Sequence, residues 1–258
     1  MKSFKSLLTE EFELLESIDA YEPILCEECG NWGWMIEDMS KKDANEITGG
    51  LSKASKMPSA TYNTPASHCN VGAKLAKIPG SVCHGCYAKK GNFTFPKVHQ
   101  GMEKKYDSID HPKWTEAMTT LVKGQAEKSP AGEKHFRWHS SGDIKDEGHL
   151  KKIFDVARNT PDIKHWLPTH EGNLVAKHLM KGNKKPDNLN IRISNNMING
   201  KAPSWPKRFG LTTSGVHTKD KAAENAHHDC PAHLQNNMCG SCRKCWDTKV
   251  PSVSYLKH

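Results

Sequence analysis

The sequence predicts an α/β fold with a parallel sheet, because strand-like and helix-like segments alternate along its second half. Three short runs that contain aromatic or β-branched residues predict strands at 135–140, 164–169 and 189–194. Their starts lie about 30 residues apart, which is the length of a β-α-β unit. Such units place strands side by side in one parallel sheet and pack helices against it.

The spacing of apolar residues predicts helices between these strands. Apolar residues from Leu150 to Ala157 recur at helical spacing, and Asp143 or Asp146 is a suitable N-cap. A further helix is predicted over 173–180. In a sheet of this kind the functional residues lie at the carboxyl ends of the strands.

The rest of the chain is predicted to be less regular. Residues 3–18 predict an amphipathic helix, and another helix is predicted to start near Pro112. Residues 40–96 are rich in Ser, Thr, Asn, Pro and Gly, which predicts extended loops and short strands. The last 29 residues are predicted to be irregular.

These patterns divide the chain into three segments. Residues 1–47 are predicted to be a helical N-terminal extension that contains Cys26 and Cys29. Residues 48–216 are predicted to be the α/β core domain, and residues 217–258 a Cys-rich C-terminal cap that we expect to bind metal.

The formal net charge is +8, which allows nucleic acid or another polyanion as a partner. The lysines are scattered without a block of five or more basic residues, so a solvated surface is the more ordinary interpretation. No apolar run approaches the roughly 20 residues that span a bilayer. The N-terminus lacks the pattern of a signal peptide. We therefore expect no membrane partner and a cytoplasmic location.

Nine cysteines in a chain without an export signal indicate metal or redox chemistry, because the cytosol keeps thiols reduced. The clearest group has the pattern C-x8-C-x2-C-x2-C and comprises Cys230, Cys239, Cys242 and Cys245. Three Cys at successive x2 spacing, with a fourth farther away, are typical of [4Fe–4S] ligation. A tetrahedral zinc site with four thiolates is the alternative.

A second group consists of Cys69, Cys83 and Cys86. Three protein ligands leave one coordination position open, and an open position is where metal chemistry takes place. The alternative is a fourth ligand, such as His68 or His84, which would close a zinc site.

Cys26 and Cys29 form an isolated C-x2-C pair. Such a pair is half of a zinc knuckle, a redox pair or two unrelated thiols. Its role stays open.

Four stretches of the chain carry a resemblance to a known family. They are LSKASKMPSATYNTPASHC, SVCHGCYAKKGNFTFPKV, the stretch from Phe136 to His170 and the stretch from Cys230 to His258. The combination of C-x2-C-Y-A, C-G-x-C-R-x-C-W and a terminal aromatic-x-x-His resembles the gene product 88 domain family, found mainly in bacteriophages and mobile elements. The resemblance covers residues 48–258, and it implies a viral protein of the host cytoplasm.

The chain is more distantly similar to radical S-adenosylmethionine (SAM) enzymes. These bind a [4Fe–4S] cluster through three Cys in one loop and hold the SAM amino group at a Gly-Gly-Glu-like turn. Residues 83–87, CHGCY, resemble the end of that loop, and residues 140–143, SSGD, resemble the turn. The resemblance implies cofactor-binding roles for Ser141, Gly142, Asp143, Arg192 and Ser194.

The chain departs from the radical SAM pattern at two places. Thirteen residues separate Cys69 from Cys83, where the standard loop has three between its first two Cys. The acidic residue of the turn is Asp143 rather than Glu. Both departures allow a lineage that kept the fold without SAM chemistry.

The resemblances imply a partial or distorted parallel β/α barrel, radical-SAM-like, with the helical extension and the Cys-rich cap on either side. They imply one or two [4Fe–4S] clusters, with SAM as a further cofactor. The protein would be an enzyme if Cys69, Cys83 and Cys86 leave one iron open, and otherwise an electron carrier or a cluster-stabilised structural protein. The alternative is a zinc-stabilised nucleic-acid-binding protein of phage DNA metabolism, which the +8 charge and the Arg243-Lys244 step favour.

Overall fold

A computed structural model of the chain describes residues 39–54, 56–129, 134–221 and 227–257. All of them belong to one compact unit, Met39–His258. The helix predicted over 3–18 and the pair Cys26 and Cys29 lie outside the described residues.

The unit is an α/β structure built on an open parallel sheet of seven strands, which confirms the predicted fold class at this level. All neighbouring strands run parallel, in the order β1-β2-β3-β4-β5-β7-β6. The strands are β1 (Thr61–Tyr62), β2 (His135–Trp138), β3 (Lys164–Thr169), β4 (Leu189–Ser194), β5 (Thr212–His217), β6 (His228–Asp229) and β7 (Ser252–Leu256). Because all strands run the same way, every strand ends at one edge of the sheet, which we call the carboxyl edge.

The described residues contain six α-helices. They are α1 (Lys41–Thr48), α2 (Asn70–Leu75), α3 (Pro96–Ser108), α4 (Trp114–Ala126), α5 (Glu147–Arg158) and α6 (Gly172–Met180). Short 3-10 turns occur at Ala66–His68, Tyr87–Lys89, Gly91–Thr94, Trp205–Phe209 and Pro231–Leu234. Helices α4, α5 and α6 each lie in the connection that precedes or follows a central strand, as the β-α-β prediction requires.

Several predicted elements are confirmed at their bounds. Strands β3 and β4 coincide with the predicted 164–169 and 189–194. Strand β2 ends at Trp138, two residues before the predicted end, because His139 adopts a φ of 53° and turns the chain. Asp146 is the N-cap of α5, and its side chain accepts a hydrogen bond from the His149 N–H.

Two predictions about the outer segments are wrong. Residues 40–96 are not only extended, since they contain α1 and the short helix α2. The last 29 residues are not irregular throughout, because they contain β7, which pairs with β5 and, on its other side, with β6 just before this segment. Both strands are short, and β6 has only two residues, so sequence alternation gives little signal there.

The two faces of the sheet bury different partners, because successive side chains of a strand point to opposite faces. On β4, Leu189, Ile191 and Ile193 belong to the main core, which also contains apolar residues of α4, α5 and α6. Asn190 and Arg192 alternate with them and contact the C-terminal segment instead. The helices therefore pack on one face of the sheet and form the main core with it. The Cys-rich segment packs on the other face.

His165 of β3 lies inside the main core between two polar partners. Trp138 Nε1–H donates to His165 Nδ1 over 3.2 Å, so Nδ1 is an acceptor and the ring proton sits on Nε2. The Nε2–H then donates to Thr160 Oγ1 over 2.8 Å, and that hydroxyl donates to Val156 O. Burial lowers the pKa of His165 to about 3, because this arrangement has no place for a second ring proton.

We predict that His165 makes the fold acid-sensitive. Below pH 6.5 the unfolded chain binds a proton at this ring and the folded chain does not, so stability is lost as the pH falls. This one ring should remove about 2 kcal/mol of unfolding free energy between about pH 7 and pH 5. Urea unfolding of His165→Gln should show lower stability at neutral pH and a smaller acid loss than wild type. His111→Gln, at an exposed site, is the control, and equal acid losses in all three proteins would contradict the prediction.

Candidate functional site

The carboxyl edge brings together loops that are far apart in sequence. The segment after β1 contains Cys69, the loop after β2 contains Asp143, and the loop after β3 contains Glu171. The Val71 N–H donates to Glu171 Oε1 over 2.8 Å, and the Tyr87 hydroxyl donates to Ser140 O. The segment that carries the first three described cysteines is therefore tied to the loops after β2 and β3.

Cys69, Cys83 and Cys86 form what we call the edge thiol group, and the first two border a gap left by a glycine of α2. A Cβ atom on Gly72 would lie 3.0 Å from Cys69 Cβ and 3.7 Å from the sulfur atoms of both Cys69 and Cys83. Two thiols separated by fourteen positions thus face the same small space. Any larger residue at Gly72 would occupy it.

The edge thiols are held in an environment that disfavours their negative charge. Burial raises the pKa of Cys69 to about 12, with further contributions from Asp143, Cys86 and Cys83. Burial also raises the pKa of Cys83 to about 11, again with Cys86 and Asp143 contributing. Because Asp143, Cys86 and Cys83 all act on Cys69, these four groups lie near one another. Thiolates form there readily only when a positive charge, such as a metal ion, offsets these effects.

Asp143 braces the two loops that follow β2 and β3. Its Oδ1 accepts from Thr169 Oγ1 over 2.5 Å and from the Ile144 N–H over 2.8 Å, and its Oδ2 accepts from the His170 N–H over 2.8 Å. Burial nevertheless raises the pKa of Asp143 to about 6, because these bonds compensate only in part. Asp143 is not the N-cap of α5, which is Asp146.

Ser141 and Gly142 lock the same turn against the end of β1. The Ser141 hydroxyl donates to Thr64 O over 3.0 Å, and the Thr64 N–H donates to Ser141 O over 3.1 Å. Gly142 has a φ of 80°, and a Cβ there would lie 1.9 Å from Thr64 Oγ1. Only glycine fits this position, for both conformational and steric reasons.

Arg192 and Ser194 form hydrogen bonds with other residues than Asp143. The fully buried Arg192 guanidinium donates to the carbonyl oxygens of Thr213, Lys244, Cys245 and Asp247, over 2.7–3.1 Å. Ser194 Oγ lies 3.4 Å from Ser214 Oγ on the neighbouring strand. Of the five residues predicted to bind cofactor, Ser141, Gly142 and Asp143 lie in one turn at the carboxyl edge, whereas Arg192 holds the C-terminal segment.

Cys230, Cys239, Cys242 and Cys245, the C-terminal thiol group, are anchored separately. The Cys230 N–H donates to Ser254 O of β7, and the Cys239 N–H donates to Lys56 O. Cys242 Sγ lies 3.4 Å from His228 Nε2, and Cys245 Sγ lies 3.2 Å from the Tyr255 hydroxyl. Lys56, which is distant in sequence, and residues on either side of the group, at 228 and 254–255, therefore contact these four cysteines.

Burial raises the pKa of the C-terminal thiols as well, to about 12 for Cys245 and in the same direction for Cys230 and Cys239. The charges of Arg192 and Arg137 act in the opposite direction on Cys245. The Arg137 guanidinium lies 4.4 Å from the centroid of the Trp166 ring. Trp166 belongs to the apolar cluster that also contains Cys245, Trp246 and Val253. Cys245 is thus buried among aromatic rings, with Cys230 packed against the same cluster, and two arginines lie close enough to Cys245 to favour its thiolate.

Metal-ligand geometry is not already formed in the structure. Within residues 39–54, 56–129, 134–221 and 227–257, no set of three or more Cys, His, Asp or Glu side chains lies close enough to hold an ion. The ligand atoms of both groups still suit a soft metal, since the edge thiol group offers three sulfur atoms and the C-terminal thiol group offers four. The gap at Gly72 leaves room for the edge thiols to converge.

Two residues of these sites, Glu171 and Arg137, were not predicted from the sequence. Glu171 lies two residues after β3, where carboxyl-edge residues are expected, so the end of a predicted strand could have indicated it. Arg137 lies inside β2, and no motif in the sequence distinguishes it from an exposed strand residue.

Comparison with known proteins gives one match. The family model described as Gene product 88 matches residues 34–248, which extends the resemblance toward the N-terminus and still leaves Cys26 and Cys29 outside. No curated protein and no solved structure matches the chain significantly, and nothing in the comparisons supports the likeness to radical SAM enzymes. Within the described part of the chain, no helix is long and apolar enough to cross a membrane.

Proposed function

The chain belongs to the gene product 88 family, a bacteriophage family, and from this premise we propose that it is an iron–sulfur protein whose edge thiol group binds a [4Fe–4S] cluster. The observation that carries the proposal is the shared space at Gly72, which both Cys69 and Cys83 face. Cys86 and Asp143 lie near enough to affect the charge of the Cys69 thiol. The C-terminal thiol group would hold a second cluster. The scaffold would then be a partial β/α barrel, of which the open parallel sheet is the observed part.

The position of the edge thiol group supports a functional rather than a purely structural cluster. In open parallel sheets, ligands bind outside the carboxyl ends of the strands. Three thiolates would leave one iron without a protein sulfur ligand, and Glu171 and Asp143 lie beside the group. A bound cluster would supply electron transfer, and its open iron a binding position for a ligand.

The central test is metal and sulfide analysis of protein purified without oxygen. We expect a brown protein with iron and acid-labile sulfide, bleached by dithionite. Gly72→Ala should lower the iron content, because the added methyl group lies 3.7 Å from two ligand sulfurs and 3.0 Å from Cys69 Cβ. Gly124→Ala is the matched control, a helical glycine with nothing within 4 Å of the added atom.

The same measurement separates the alternative function. Four thiolates also suit structural zinc, and a zinc-stabilised nucleic-acid-binding protein would be colourless. Stoichiometric zinc without sulfide in wild-type protein would contradict the cluster proposal. An iron content equal to wild type in Gly72→Ala would contradict the assignment of the edge site.

SAM is the ligand that we propose for the open iron. An α-ammonium group pairs with a carboxylate, and Glu171 is the more available one, since the Val71 N–H occupies only its Oε1 whereas both Asp143 oxygens accept hydrogen bonds. Calorimetry on cluster-replete protein should show binding heat with SAM that is lost in Cys86→Ser and reduced in Glu171→Gln. Wild-type protein that gives no heat would remove SAM and leave electron transfer as the function.

For the C-terminal thiol group we predict that metal and stability are lost together. Cys242→Ser removes a soft ligand, and metal binding at a site absent from the unfolded chain adds to the folding free energy, by about 10 kcal/mol in small zinc peptides. A domain is stable by only about 5–15 kcal/mol. Limited proteolysis should therefore cut the variant within residues 217–258, whereas Cys26→Ser should behave more like wild type. Full metal content with the wild-type digestion pattern would show that the site does not exist.

A further inference from the structure

The positive charge of the chain is concentrated beyond its first segment. Residues 1–38 contain ten carboxylates and two lysines, whereas residues 39–258 contain 35 Lys and Arg against 19 Asp and Glu. Within the latter, residues 47–102 contain seven lysines and no Asp or Glu at all. A stretch of 56 residues without a carboxylate differs from the mixed charges expected of an ordinary solvated surface.

Five of these lysines are exposed in the segment that covers the carboxyl edge, residues 74–98, which we call the edge surface. They are Lys74, Lys77, Lys89, Lys90 and Lys97. Among the described residues, none of their ammonium groups forms an ion pair with a carboxylate. Lys89 interacts electrostatically with Cys83 and Lys74 with Glu171, so the edge surface adjoins the edge thiol group.

Aromatic rings are interleaved with these lysines and stand in solvent. Tyr87 is 51% exposed and Phe95 is 56% exposed. The Tyr87 ring is held in place, because its hydroxyl donates to Ser140 O and its centroid lies 5.9 Å from the centroid of the tilted Phe93 ring. Large exposed aromatic side chains lose contact with water when a planar partner covers them, so they favour stacking.

We propose that the edge surface binds single-stranded nucleic acid. Lysine ammonium groups without ion pairs attract the phosphate backbone, and exposed rings stack on bases, which only a single strand presents on both faces. This combination of a basic surface and stacking platforms is typical of sequence-independent single-strand binding. The proposal goes beyond the cluster proposal and does not rest on it, since every group that it uses is a side chain of residues 74–98.

The test is fluorescence anisotropy of the full-length protein with labelled oligothymidylate of about 20 nucleotides. We expect binding that is stronger than to a duplex of the same length. Phe95→Ala should weaken it roughly tenfold through loss of one stacking contact, and Phe95→Trp should restore it. Iron and sulfide measured on the same preparations should be unchanged, which separates this surface from the cluster proposal.

The contribution of charge is measured by salt dependence. Lys89→Ala with Lys90→Ala should reduce the slope of log affinity against log salt by about 1.4, or about 0.7 for each phosphate contact. Lys41→Ala with Lys42→Ala, an exposed adjacent pair on α1, is the matched control and should leave the slope unchanged. Equal salt-dependence slopes in the two double variants would contradict the proposal. Tighter binding to the duplex than to the single strand would also contradict it. Binding to vesicles with anionic lipid but not to the oligonucleotide would also overturn it and identify a lipid surface.

Discussion

Arg192 stands fully buried in the middle of β4 and donates to four main-chain carbonyl oxygens, three of them in residues 244–247. A guanidinium charge is costly to bury unless its donors are satisfied, and carbonyl oxygens in this number meet that condition. Asn190, on the same face of β4, donates to Cys245 O and Asp247 O as well. The C-terminal thiol group therefore depends on a polar contact between the sheet and a segment that has little regular structure of its own.

The parallel sheet keeps the two thiol groups in different surroundings. The edge thiol group lies among loops at the carboxyl edge, beside Asp143 and Glu171, which favours contact with other molecules. In the C-terminal thiol group, Cys245 packs with Trp166, Trp246 and Val253, where apolar rings limit the access of water to this thiol. If both hold clusters, solvent exposure and local charge would give them different reduction potentials, because these properties tune iron–sulfur centres.

The central β-α-β region could be predicted from the sequence because local and tertiary signals agree there. Apolar periodicity, the Asp146 cap and the aromatic strands all favour the elements that form. The outer strands could not be predicted, since β1 and β6 have two residues each and are stabilised by pairing with distant strands. The role of Arg192 could not be predicted either. The sequence does not indicate that a strand arginine donates to main-chain carbonyl oxygens more than fifty residues later in the chain.

The site residues could be predicted only where the spacing of cysteines in the sequence indicates a metal site. The two thiol groups follow from Cys patterns alone, but the glycine that leaves room between Cys69 and Cys83 is visible only in three dimensions. The same holds for the edge surface, whose scattered lysines adjoin the carboxyl edge only because hydrogen bonds tie the segment to the loops there. A polyanion held on the edge surface would lie next to the edge thiol group and Glu171. The fold thus places next to the edge thiol group a surface that is suited to recruit nucleic acid.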